Sequence, residues 1–182
     1  MAKEGLENKV SKEYEKRFLK GAAIGEIGAA IGSGIGGYVG NTVLKGGNKF
    51  LNIIGGGIIG DYLLSSIVDG IVWYNLNKEE YKGINGKARF VKDQLGFHIR
   101  DIPAAVAGYA AYAPIGAALL ALGAPAVAAT VAASVISSGI YILGSYLSNK
   151  GYLRKRFGKE HAGSKPGYSS PAPSISPSYS PA

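Results

Sequence analysis

Residues 21–44 read GAAIGEIGAAIGSGIGGYVGNTVL, and Glu26 is their only charge. A helix rises about 1.5 Å per residue, so about 20 residues cross a hydrocarbon core of about 30 Å. The stretch is long enough to do so. Its small residues form two rows at four-residue spacing. One is Gly21, Gly25, Ala29, Ser33 and Gly37; the other is Gly28, Gly32, Gly36 and Gly40. Lipid supplies no hydrophobic drive between helices, so close backbone contact holds them, and small residues every fourth position permit it. The stretch is expected to be a membrane span of the glycine-zipper kind, able to seat a neighbour on each of two faces. Gly is a poorer helix former than Ala by about 1 kcal/mol. The span should therefore insert together with the next one, as a hairpin.

Three more stretches share the character. Residues 50–74 hold only Asp61 and Asp69 as charges, and 102–123 and 125–148 hold none. The expected fold class is all-α: a polytopic membrane protein with four transmembrane helices arranged as two hairpins. A soluble bundle would need a polar face on each helix, and the last two stretches offer small residues where charges should be. The whole chain agrees. Its 182 residues are 47% hydrophobic and 18% charged, against about 25% charged in an average soluble domain. The absence of cysteine excludes a disulfide scaffold, a thiolate metal site and cysteine catalysis. His98 and His161 lack candidate co-ligands, so no metal and no cofactor is expected. The charged first 20 residues lack the apolar core and cleavage site of a signal peptide.

Four spans put both termini and the segment 75–101 on one side. Of the 20 basic residues, only Lys45 and Lys49 fall on the other side. By the positive-inside rule both termini are expected in the cytoplasm. Lys45-Gly46-Gly47-Asn48-Lys49 reads as a tight polar turn, and Leu122-Gly123-Ala124-Pro125 as a short helical hairpin. Asp101 before Ile102-Pro103 reads as an N-cap with proline in the first helical turn. Trp73, Tyr74, Tyr146 and Tyr152 stand where an interfacial aromatic belt belongs. Basic, aromatic segments precede both hairpins, and Gly70-Ile71 and Gly139-Ile140 end them alike. That suits a two-helix repeat and equally suits two unrelated membrane hairpins.

Charged groups at the centre of a span cost about 2.5–3.5 kcal/mol on insertion scales. Asp61 is expected near the midplane, about 16 Å from the outer boundary, and Glu26 and Asp69 roughly 8 Å from the inner one. Gly57, Asp61, Ser65 and Asp69 share one helix face, and Tyr109, Tyr112, Ser137, Ser138 and Tyr141 fall at matching depths. Asp61, Asp69, Glu26 and Tyr112 are thus candidates for a proton or cation path. The structural alternative makes Asp61 a hydrogen-bonded tie to a neighbouring helix, with Glu26 and Asp69 reaching toward Lys20 or Arg100.

The domain organisation follows. Residues 1–20 are an amphipathic cytoplasmic helix expected on the inner leaflet. Residues 21–149 form the four-helix domain, with 75–101 as a cytoplasmic loop. Residues 150–162 are a basic juxtamembrane segment, and Arg154, Lys155 and Arg156 are candidates for anionic lipid headgroups. The Ser/Pro-rich tail 163–182 is expected to be disordered. The basic residues flank spans rather than cover a domain face, which argues against nucleic acid. Partners are expected to be anionic lipid and either further copies of the chain or other membrane subunits. No catalytic constellation is present. GGGIIGD lacks the Lys-Ser/Thr of a phosphate loop, and Gly32-Ser33-Gly34 is not a nucleophile elbow. The general shape, four glycine-rich spans in a small chain, is similar to that of the membrane subunits of mitochondrial protein translocases and of glycine-zipper proteins; composition carries this likeness, with no diagnostic motif. Two functions are expected to compete, ahead of a membrane-permeabilising role of the holin or bacteriocin sort, against which the long basic flanks and ordered four-span topology argue. One is a structural or assembly role, oligomerising through Gly25, Gly28, Gly32, Gly36 and Gly40. The other is a small proton- or cation-linked transporter or channel using Asp61.

Overall fold

The polar turns and apolar runs translate into four long helices. In a computed structural model, described over residues 2–158, these are α1 (Ala2–Thr42), α2 (Lys49–Leu76), α3 (Gly86–Ala121) and α4 (Ala126–Leu153). A 3₁₀ turn covers Lys78–Tyr81 and a π-helical turn Arg154–Gly158. Each long helix is long and apolar enough to cross a membrane. The tail 163–182 and the last positions of 150–162 lie outside the described residues.

The turns have clear local causes. Asn48 caps α2, its side-chain oxygen accepting from the N–H groups of Phe50 (2.9 Å) and Leu51 (3.3 Å). At the end of α3, Gly123 adopts a φ of +88°. That left-handed residue lets its own N–H reach the Leu120 carbonyl and the Ala124 N–H reach that of Leu119, each at 3.0 Å. This Schellman closure satisfies two terminal carbonyls, and Pro125 then starts α4.

The helices pack in an open row. α1 lies between α2 and α4, α4 also packs on α3, and α2 and α3 meet through long side chains, such as Trp73 on Phe97 and Tyr109 on Asp61, rather than backbone to backbone. The closest approach is between α1 and α2. A Cβ on Gly32 would fall on the Gly60 carbonyl, one on Gly36 on that of Gly56, and one on Gly40 on that of Asn52. Gly28 faces Val68 and the Leu64 carbonyl, so this whole row meets α2 backbone or side chains. The second row divides between α4 and α2. Gly37 faces Thr130 of α4, and Gly25 faces the carboxylate of Asp69.

The outer surface is apolar. Ile27, Ile31 and Ile35 of α1, Leu63, Ile67 and Ile71 of α2, and Leu143 and Leu147 of α4 are each more than half exposed. One end of the bundle differs. There Tyr14, Phe18, Trp73, Phe97 and Phe157 close into a buried aromatic cluster drawn from α1, α2, α3 and the π-helical turn, with Leu153 of α4 packed into it.

Four local expectations need correction. Residues 1–20 are not a separate surface helix, because α1 runs through position 20 unbroken. Tyr14 and Phe18 bury their rings in the chain's own cluster instead of in lipid. Nor is 75–101 a loop: α3 already begins at Gly86, and its buried residues Asp93, Phe97, Asp101, Ala104 and Gly108 keep helical spacing along one face. Asp101 is consequently not an N-cap. The helix passes through Pro103, which loses one backbone bond, a loss that membrane helices tolerate where neighbours pack closely. Trp73 is also not an interfacial anchor. It is 3% exposed, and its indole N–H donates to Tyr81 Oη at 2.6 Å.

Candidate functional site: an acid-lined cleft

A small cavity lined by all four helices holds two of the intramembrane carboxylates. Asp61 sits on α2 with its side chain turned toward α3 and α4. The Tyr109 hydroxyl donates to its Oδ1 at 3.3 Å and the Ser134 hydroxyl to its Oδ2 at 2.6 Å. Glu26 reaches in from α1, and the Ser138 hydroxyl donates to its Oε2. Asp61, Glu26, Tyr62, Ser65, Tyr109 and Tyr141 all line one cavity. Its volume is about 20 Å³ for a water's centre, enough for about one water molecule.

Gly108 lines the cavity on the α3 side; it is buried, and a Cβ there would make ordinary contact with Tyr141 at 3.4 Å. On α4, Ser137 and Ser138 both fold back on the Ser134 carbonyl, at 3.0 and 2.9 Å. Short hydroxyl side chains thus leave room and still satisfy themselves locally.

Asp69 lies farther along α2, toward the aromatic cluster. Gly25 leaves space for its carboxylate. Among the described residues its Oδ1 is buried with no hydrogen-bond partner. It lines a second small cavity with His98 and Asp101. Asp101 is the acid that sequence reading assigned elsewhere. Its Oδ1 accepts from Ser145 at 2.7 Å and from Asn149 Nδ2 at 2.5 Å, so it ties α3 to α4. No local signal marks this role, because Ser145 and Asn149 come from a helix more than 40 positions away.

Of the candidate path residues, Asp61 and Glu26 share the main cavity, and Asp69 occupies the adjacent one. Tyr112 belongs to neither. It is fully buried beyond Asp61, its hydroxyl 2.7 Å from Ser33 Oγ and packed over Gly57. Ser33 in turn donates to the Thr130 carbonyl at 2.8 Å. The cleft is therefore sealed on that side. Among the described residues no ion pair reaches Glu26, Asp61, Asp69 or Asp101. Neither Lys20 nor Arg100 answers these acids. Arg100 instead donates to the Gly96 carbonyl at 2.6 Å and lies 4.0 Å over the Tyr152 ring.

The candidate headgroup residues also separate. Arg154 donates to Asn8 Oδ1 at 2.5 Å, Lys155 is exposed, and Arg156 turns inward to Asp93 at 3.2 Å. Set against family models, curated proteins and solved structures, the chain matches none of them.

Proposed function

We propose that the protein is a small multi-pass membrane protein that exchanges a proton or small cation at the Asp61 cleft. The carrying observation is that Asp61 and Glu26 face one water-sized cavity with hydroxyls around them and no base. Such carboxylates inside a span are costly unless they take up a proton, hold water or meet a cation. The cleft has one sealed side, at Tyr112, and one chain of acids leading away through Asp69 and Asp101. That supports a half-path whose mouth lies at the end carrying the basic helix termini. By the positive-inside rule that end is cytoplasmic, and its surface meets anionic lipid.

The row Gly28, Gly32, Gly36 and Gly40 is read as a zipper closed inside the chain, on α2. A second reading, assembly with further copies or other membrane subunits, is favoured by a different observation. Between α1 and α4, Ile31, Gly34, Ile35, Tyr38, Val127 and Val131 line an outward-facing apolar groove of about 380 Å³. Gly34 in its wall gives a small-residue contact for another helix.

The test is flux into liposomes containing purified protein, under a pH or alkali-cation gradient. Wild type is expected to conduct and Asp61→Asn to lose at least about tenfold of the rate. Absence of flux in both overturns the transport reading. A change of oligomer size with Gly34→Leu, in the absence of flux, selects assembly.

A further inference from the structure

At the end of the bundle where α3 begins and α4 ends, Arg89, Lys92, Asp93, Tyr152 and Arg156 line a cleft of about 360 Å³. That is within the range of ligand sites, about 300–1,000 Å³. Asp93 is 1% exposed, and its charge is met within the wall. Arg156 approaches its two oxygens at 3.2 and 3.5 Å. Tyr152 donates to Oδ1 at 2.7 Å and Tyr81 to Oδ2 at 3.1 Å. Arg89 is oriented by the Lys82 carbonyl at 2.8 Å, and Lys92 is exposed. Among the described residues no ion pair engages Arg89 or Lys92. The one acid is thus matched by one arginine, and two further cations face the same space.

We infer that this cleft binds a phosphoryl anion, held by Arg89 and Lys92 against a wall fixed by the Asp93–Arg156 pair. Guanidinium and ammonium groups are the usual partners of phosphate oxygens. Asp93 stands about 12 Å from Asp101 along α3 by helical rise. The cleft therefore lies beyond the apolar part of the helix, beside the lipid headgroups. A phospholipid phosphate and a free phosphate ester share the chemistry required. The site shares no residue with the Asp61 cleft and stands if transport fails; it rests on the proposed lipid-facing basic end only for the lipid as source.

The reporter is built in. Trp73 is the only tryptophan of the chain. Its indole bonds Tyr81, whose hydroxyl bonds Asp93. Full-length protein in phosphate-free maltoside micelles would be titrated with short-chain phosphatidylglycerol, glycerol phosphate and inorganic phosphate, following Trp73 fluorescence and heat of binding. Arg89→Gln with Lys92→Gln should weaken binding by about tenfold or more. Lys150→Gln with Lys155→Gln should leave it within about twofold, since neither lines the cleft. Tighter binding of phosphatidylglycerol than of glycerol phosphate assigns a lipid. Equal binding assigns a free phosphate ester, and the site stands in both cases. Wild-type affinity in the cleft variant overturns it, as does equal loss in the Lys150/Lys155 variant. That last result would leave a diffuse basic end intact. If the double variant melts early, Lys92→Gln alone carries the test through at least a threefold loss, about half of the double effect on a logarithmic scale.

Discussion

The two hairpins are joined by opposite means. Between residues 21 and 42 no side-chain hydrogen bond links α1 to α2 among the described residues; the contact is backbone on backbone at Gly32, Gly36 and Gly40. α3 and α4 approach less intimately and are tied by polar side chains. Asp101 accepts from Ser145 and Asn149, and Asp93 accepts from Tyr152 and Arg156. In lipid both means work, because neither depends on excluding water. They fail differently. A backbone contact tolerates no added atom. A polar tie tolerates isosteric change but not loss of one partner.

The largest expected effect is in the first hairpin. Gly36→Leu drives a side chain into the Gly56 carbonyl and should destabilise by about 3 kcal/mol or more, read as early thermal unfolding in detergent. Gly139→Leu in α4 is the matching control. Nothing lies within 4 Å of a Cβ there, so the change should stay within about 0.5 kcal/mol. Equal effects of the two would erase the contrast between hairpins. Next comes Asp101→Leu. It leaves Ser145 and the Asn149 amide buried without their acceptor and should cost about 1–3 kcal/mol, with Asp101→Asn milder. A smaller loss follows Tyr112→Phe. Ser33 keeps its bond to the Thr130 carbonyl, so about 1 kcal/mol or less is expected.

The smallest effect concerns pH, at Tyr81, outside the spans. Burial pushes its phenol well above the ordinary value of 10.0, and the neighbouring Asp93 adds to the rise while the Trp73 hydrogen bond opposes it. A group raised on folding stabilises fully below its unfolded value. That contribution fades once the pH passes about 10, where only the unfolded chain releases the proton. The unfolding temperature should therefore fall more steeply above pH 10 in wild type than in Tyr81→Phe. Parallel curves would show that the phenol is not shielded in solution.

Much of this was legible along the chain. Four apolar runs, two glycine-marked turns and the four-residue rows of 21–44 predict four helices and a first span with bare faces. Asp61 is conspicuous because it is a charge far from either end of its run. Other features could not be read that way. Asp101 next to Pro103 carries every local sign of a helix start, yet the partners that hold it inside α3 are Ser145 and Asn149, more than 40 positions away. Asp93 looks like one acid in a charged, exposed stretch. Only the return of α4 brings Tyr152 and Arg156 onto it. The same return takes Arg156 away from the surface that its neighbours Arg154 and Lys155 share.

Hydrophobic length and the spacing of small residues are properties of a single helix, so the sequence by itself determined how many helices there are, where they turn and which faces lack side chains. Which face meets which helix depends on contacts among all four at once. The tertiary structure therefore decided that the glycine row meets α2, that α2 and α3 touch through side chains rather than backbone, and that Glu26 and Asp61 share one cavity lined by all four helices.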